Sequence, residues 1–149
     1  MSGRLLCVGD LHMGRLPGIP RGITKESGLS TRDLGPAAAW QAIVDHACAA
    51  QPTFDAVVLT GDLIDKDKFF FESLGPIENG LARLAKQGIP VYAVGGNHDF
   101  YSTARAAGVL SHLKLLGRNG QWECVQLGQT GPIGKNTTLS FVGSELIQS

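Results

Sequence analysis

Three short apolar runs punctuate the first hundred positions, and each ends at glycine followed by a polar cluster. Arg4–Val8 runs into Gly9-Asp10, Asp55–Thr60 into Gly61-Asp62, and Ile89–Val94 into Gly95-Gly96-Asn97-His98-Asp99. Short apolar, β-branched runs with polar boundaries are expected of strands buried in a parallel sheet. Between the first two runs, Pro36 suits the first turn of a helix. Trp40, Ile43, Val44, Ala47 and Cys48 follow at three- and four-residue spacing, which predicts a helix ending before Pro52. Ile77, Leu81 and Leu84, with Pro76 near the start and Gly88 as the stop, predict a second helix. Phe69, Phe70 and Phe71 read as a separate short turn or helix before it. Ser102 can cap a third helix through about Leu116, although Gly108 weakens it. Trp122–Leu127 and Thr138–Val142 then predict two more strands, joined by the turn-rich Gly128–Lys135.

This order predicts an α/β layered domain with a largely parallel central sheet and flanking helices. Leu11 to Gly35, with five glycines and two prolines and no sustained period, reads as a long loop. Loops of such length are usually functional or mobile. The chain has 149 residues, 43% hydrophobic and 17% charged, which fits one globular domain and excludes a disordered tail. No apolar run approaches the roughly 20 residues needed to span a bilayer. The N-terminus reaches Asp10 before a secretory h-region can form, so secretion is not indicated, and the cysteine usage makes a reduced, cytoplasmic setting the expectation. Thirteen basic and thirteen acidic residues cancel, which excludes nucleic-acid binding through net charge alone. Cys7, Cys48 and Cys124 are widely spaced, without a C-x-x-C pair, so neither a disulfide framework nor a thiolate zinc site is expected. Cys7 and Cys48 read as small core hydrophobes.

The chemistry is concentrated at the three strand ends: Asp10-Leu11-His12, Asp62-Leu63-Ile64-Asp65 and Asn97-His98-Asp99. In an open α/β sheet, ligands gather beyond the carboxyl ends of the strands, so parallel strands would bring these clusters together. Alternation would place Asp10 and His12 on one side of an extended segment. A single Gly-Asp at a strand end is ordinarily a turn or cap, and a lone histidine is ordinarily a surface residue. Three such clusters at three strand ends point instead to a metal site. Asp, His and Asn without thiolate suit Mn²⁺, Fe²⁺ or Zn²⁺.

GDLHMG, GDLID and GGNHD resemble the first three motifs of the calcineurin-like metallophosphoesterases, G-D-x-H, G-D-x-x-D and G-N-H-D/E, over Arg4 to about Phe100. Met13-Gly14-Arg15 after His12, Arg21 and Glu26 in the long loop, and Lys66 after Asp65 are similar to the SbcD-type DNA repair exonucleases. The resemblance implies that Asp10 and His12 bind a first metal, Asp62 bridges two metals and Asn97 binds the second. It implies that His98 faces the phosphate and stabilises or protonates the leaving oxygen, with Asp99 orienting His98. Asp65 is expected to coordinate nothing and to anchor the loop or support a ligand. Two divalent ions about 3.5–4 Å apart, Mn²⁺ ahead of Fe or Zn, would activate a shared hydroxide for phosphodiester hydrolysis. DNA is the implied substrate and an SbcC-like ATPase the implied partner.

The family also draws histidines from later motifs, and this sequence holds only His12, His46, His98 and His112. His46 and His112 read as ordinary helix residues. The expectation is therefore a single truncated domain over residues 1–149, lacking C-terminal strands, with one weak metal site or none in this chain. Arg4, Arg15, Arg21, Lys25 and Arg32 give the N-terminal part a mild positive bias, but no aromatic stacking platform accompanies it. Two alternatives remain: a small-molecule phosphodiesterase or phosphatase, and a non-catalytic assembly module pairing as a homodimer through an open sheet edge.

Overall fold

The computed structural model describes residues 4–16, 18, 27–65, 70–96, 99–127 and 137–141. The three apolar runs form strands β1 (Leu5–Val8), β2 (Ala56–Leu59) and β3 (Val91–Ala93). A fourth strand, β4 (Leu113–Leu115), completes a parallel sheet of order β1-β2-β3-β4. Its register pairs Leu5 with Ala56, Val57 with Val91, and Val91 with Leu113. Helices α1 (Pro36–Ala49), α2 (Phe70–Lys86) and α3 (Phe100–Val109) lie in the crossovers that parallel strands require.

The pleat sends alternate residues to opposite faces of the sheet. Leu6 and Val8 of β1, Val57 and Leu59 of β2, and Val91 and Ala93 of β3 meet Trp40, Val44, Ile77, Leu81 and Leu84 of the helices in the main core. Ala56 and Tyr92 face the other way, with Leu116 and Leu127. Leu127 ends β5 (Glu123–Leu127), which pairs antiparallel with β6 (Thr137–Phe141), Val125 opposite Leu139. Both strands fall where the sequence predicts them; the join at Gly128–Lys135 lies outside the described residues. Among the described residues, no helix is long and apolar enough to cross a membrane.

Three expectations need correction. Phe70 and Phe71 do not form a separate element but the first turn of one continuous helix, with Pro76 inside it. Proline there removes one helical donor. Burial of Phe70, with the Arg105 guanidinium 4.2 Å from its ring centre, holds the turn ahead of it. The Pro76 carbonyl also gains a partner, accepting from Trp40 Nε1 at 3.1 Å. Gly80, one turn further along, leaves room for the same indole: a Cβ there would lie 2.6 Å from Trp40 Cε2.

The third helix stops at Val109 rather than near Leu116, and Leu113–Leu115 is a strand. His112 consequently sits exposed in the turn before β4, not in a helix. A short apolar stretch is ambiguous between helix and strand; here the open edge of β3 decides in favour of pairing. Finally, Cys7 is exposed, because β1 is an edge strand and Cys7 points away from the helical layer. Cys48 does pack against the core, and His46 is an exposed residue of α1, as expected.

Candidate metal centre

The parallel pairing of β1 and β2 does not end with the strands. The Asp10 amide donates to the Gly61 carbonyl (3.3 Å), His12 N to Asp62 O (2.8 Å), Met13 N to Leu63 O (2.8 Å), and Asp65 N to Met13 O (3.1 Å). Met13 and Ile64 form a parallel bridge, and both are buried. The long loop is thus anchored at its start, and the two motif segments are bound side by side at the carboxyl edge of the sheet.

This brings Asp10, His12 and Asp62 together: one ligand atom from each lies within 4.8 Å of the others. The backbone route differs from the extended alternation expected of residues 10 and 12. Asp10 (φ 53°), His12 (φ 46°) and Asp62 (φ 51°) all adopt the left-handed conformation. Non-glycine residues seldom do so, although Asp and His are among those that tolerate it. The three side chains converge because each strand exit turns sharply. Strain of this kind persists only where surrounding bonds over-determine it, and it concentrates at functional sites.

Burial grades across the cluster. Asp62 is buried, His12 is half-buried, and the Asp10 side chain is 83% exposed, so Asp10 is the most solvent-accessible of the three. His12 lies between two carboxylates, its Nε2 3.7 Å from Asp10 Oδ1 and its Nδ1 3.2 Å from Asp65 Oδ1. The Nδ1–Asp65 contact is at ion-pair distance without hydrogen-bond alignment; turned to face the carboxylate, an Nδ1 proton would leave Nε2 as the lone-pair donor toward the cluster. Supporting carboxylates fix the tautomer and ring orientation of metal-binding histidines in this way. Asp65 thus stands behind the ligand rather than among the grouped donors. Two carboxylates and one imidazole supply the hard and borderline donors that a divalent cation prefers, so the residues present fit such an ion.

The glycines of the second and third motifs are required by proximity. Gly61 has φ 105°, and a Cβ there would meet the Gly96 Cα at 3.0 Å. A Cβ on Gly96 would overlap the Asp62 carboxylate and amide.

A model of the calcineurin-like phosphoesterase family matches residues 3–143. The chain belongs to this family. Membership makes it a phosphoester-hydrolysing enzyme by fold and motif, and the Asp10–His12–Asp62 group is where such a phosphoesterase would hold a divalent metal. No curated protein matches the chain.

Of the other site residues expected of this phosphoesterase, Asn97 and His98 lie outside the described residues. Asp99 is 1% exposed, and its carboxylate is engaged by the 61–64 turn, Gly96 and Thr103. The contact of Asp99 with His98 expected from the sequence lies outside the described residues; the engagement with the 61–64 turn and the buried Thr103 was not foreseen. The spacing Asp99…Thr103, one helical turn apart at a helix start, is the signal that could have suggested the pair.

Proposed function

We propose that this phosphoesterase cleaves phosphodiesters with the DNA backbone as its substrate class, and that Asp10, His12 and Asp62 hold the divalent cation it needs. One observation carries the reading: three ligand atoms converge within 4.8 Å at the carboxyl edge of a parallel sheet. Asp10, the solvent-exposed member of the group, stands accessible to a phosphate backbone. Arg15 is exposed just past His12, with its amide bonded to the His12 carbonyl (3.0 Å), and puts a basic residue on the segment that carries two of the ligand candidates. The Met13-Gly14-Arg15 segment and its likeness to SbcD-type exonucleases favour DNA.

A bound divalent cation, Mn²⁺ ahead of Fe or Zn, would act as a Lewis acid toward phosphoryl oxygens and lower the pKa of water. The chain's own residues do the rest. Asp62 and Asn97 would serve a second cation. His98 would donate a proton to the departing oxygen, a task suited to imidazole near neutral pH. Asp65 would keep His12 in the ligating tautomer. An SbcC-like ATPase is the partner class that accompanies the DNA reading.

Manganese-dependent cleavage of duplex DNA ends, compared with bis-p-nitrophenyl phosphate, p-nitrophenyl phosphate and cyclic nucleotides, tests the proposal, with Asp62→Asn as the inactive control. Cleavage of DNA ends lost in that variant supports it. Turnover of small esters alone would assign a small-molecule phosphodiesterase or phosphatase instead. Self-association in sedimentation without metal uptake would assign an assembly module.

A further inference from the structure

We propose that Asp99 is a positioning residue for Asp62, fixing the backbone turn that presents this carboxylate rather than acting on substrate. The inference rests on the reading of Asp62 as a cation ligand. Asp62 is held in the left-handed region at φ 51°, where a non-glycine residue needs external support. The amides of residues 62, 63 and 64 all turn inward onto one carboxylate. Asp99 Oδ1 accepts from Asp62 N (3.2 Å) and Gly96 N (2.9 Å). Asp99 Oδ2 accepts from Leu63 N (2.5 Å), Ile64 N (3.2 Å) and Thr103 Oγ1 (2.5 Å). Successive amides converging on an anion form a nest, here closed by a side chain of the same molecule.

The carboxylate is itself clamped. Thr103 is fully buried, and its amide donates to the Asp99 carbonyl at 2.7 Å while its hydroxyl meets Oδ2. The first turn of α3 therefore fixes Asp99, Asp99 fixes the 61–64 turn, and the turn sets the backbone from which Asp62 reaches the cluster. Gly96 is drawn in by the same oxygen that binds the Asp62 amide, which accounts for the close packing of those two residues. Both Asp99 oxygens are thus directed at N–H and O–H donors, and an amide side chain cannot substitute for them. In Asp99→Asn one oxygen becomes an NH₂ group facing at least two donors, in either orientation.

The test is calorimetric Mn²⁺ titration of wild type, Asp99→Asn, Thr103→Val and Thr103→Ser, with amide exchange measured at Leu63 and Ile64. Expected is a loss of at least about tenfold in Mn²⁺ affinity for folded Asp99→Asn, the scale seen when support behind a ligand is removed. Its Leu63 and Ile64 amides should lose protection. Thr103→Val should lose roughly two- to fivefold in affinity, and Thr103→Ser, which keeps the hydroxyl, should recover it. A folded Asp99→Asn with wild-type affinity would overturn the inference. If that variant does not fold, Thr103→Val matching wild type would overturn it equally. Wild type taking up no Mn²⁺ would instead remove the cation reading of Asp62, and this inference with it.

Discussion

Gly96 packs so tightly against Asp62 that no side chain fits between them: a Cβ at position 96 would overlap both the Asp62 carboxylate and its amide. The glycine at the end of the third apolar run is therefore a steric condition on the ligand supplied by the second. Gly96→Ala should displace Asp62, lowering Mn²⁺ affinity at least about tenfold and costing about 1–3 kcal/mol of stability through overpacking. Gly108→Ala is the control, since position 108 lies within α3 facing open space. There the substitution should stabilise by about 0.5–1 kcal/mol and leave metal binding unchanged. Metal titration with thermal unfolding of both variants checks the pair.

Asp65 Oδ1 lies 3.2 Å from His12 Nδ1, close enough for its charge to orient the ring. Asp65→Ala should lower metal affinity by about 10–100-fold, while Asp65→Asn, which retains an acceptor oxygen, should lose less. Equal affinities across wild type and both variants in calorimetry would show that the pair does not orient the ring.

Left-handed backbone at Asp10 costs stability for the sake of the site. Its side chain is largely exposed, so Asp10→Gly removes little packing and releases the strain. In EDTA the variant should be more stable than wild type by about 1 kcal/mol. In excess Mn²⁺ the order should reverse, because only wild type gains the linkage energy of binding. Melting curves under the two conditions decide it.

Tyr92 lies on the sheet face opposite the helices, among Ala56, Leu116 and Leu127, and burial raises its phenol above the ordinary value of 10.0. For an acid whose folded pKa is raised, the stabilising contribution is complete below the unfolded value and is lost as pH climbs through the folded one. Stability should therefore decline above pH 10.0 in wild type. Tyr92→Phe should flatten that decline. Denaturant midpoints from about pH 8 to 11 provide the measurement.

Much of the layout follows from local pattern. Apolar runs at 4–8, 55–60 and 89–94 announce three strands, of which β2 and β3 are buried while β1 lies at the edge, and the spacing of Trp40, Val44 and Ala47 announces α1. The ligand candidates Asp10, His12 and Asp62 were legible for the same reason, since they stand where those runs end. Leu113–Leu115 was not legible, because three alternating residues carry too little periodicity to separate strand from helix, and only the vacant edge of β3 resolves them. Nor was the continuity of α2 through Pro76, which depends on Trp40 and Arg105 from other helices.

The order of residues along the chain determined which side chains could meet a cation and at which end of which strand they stand. Tertiary structure alone decided how they meet: left-handed exits at Asp10, His12 and Asp62, and a turn bound from thirty-odd positions away by Asp99. Hydrophobic periodicity is a property of neighbours, readable within a short window. The hydrogen bonds and close approaches that shape the centre join segments whose separation in sequence leaves no local trace.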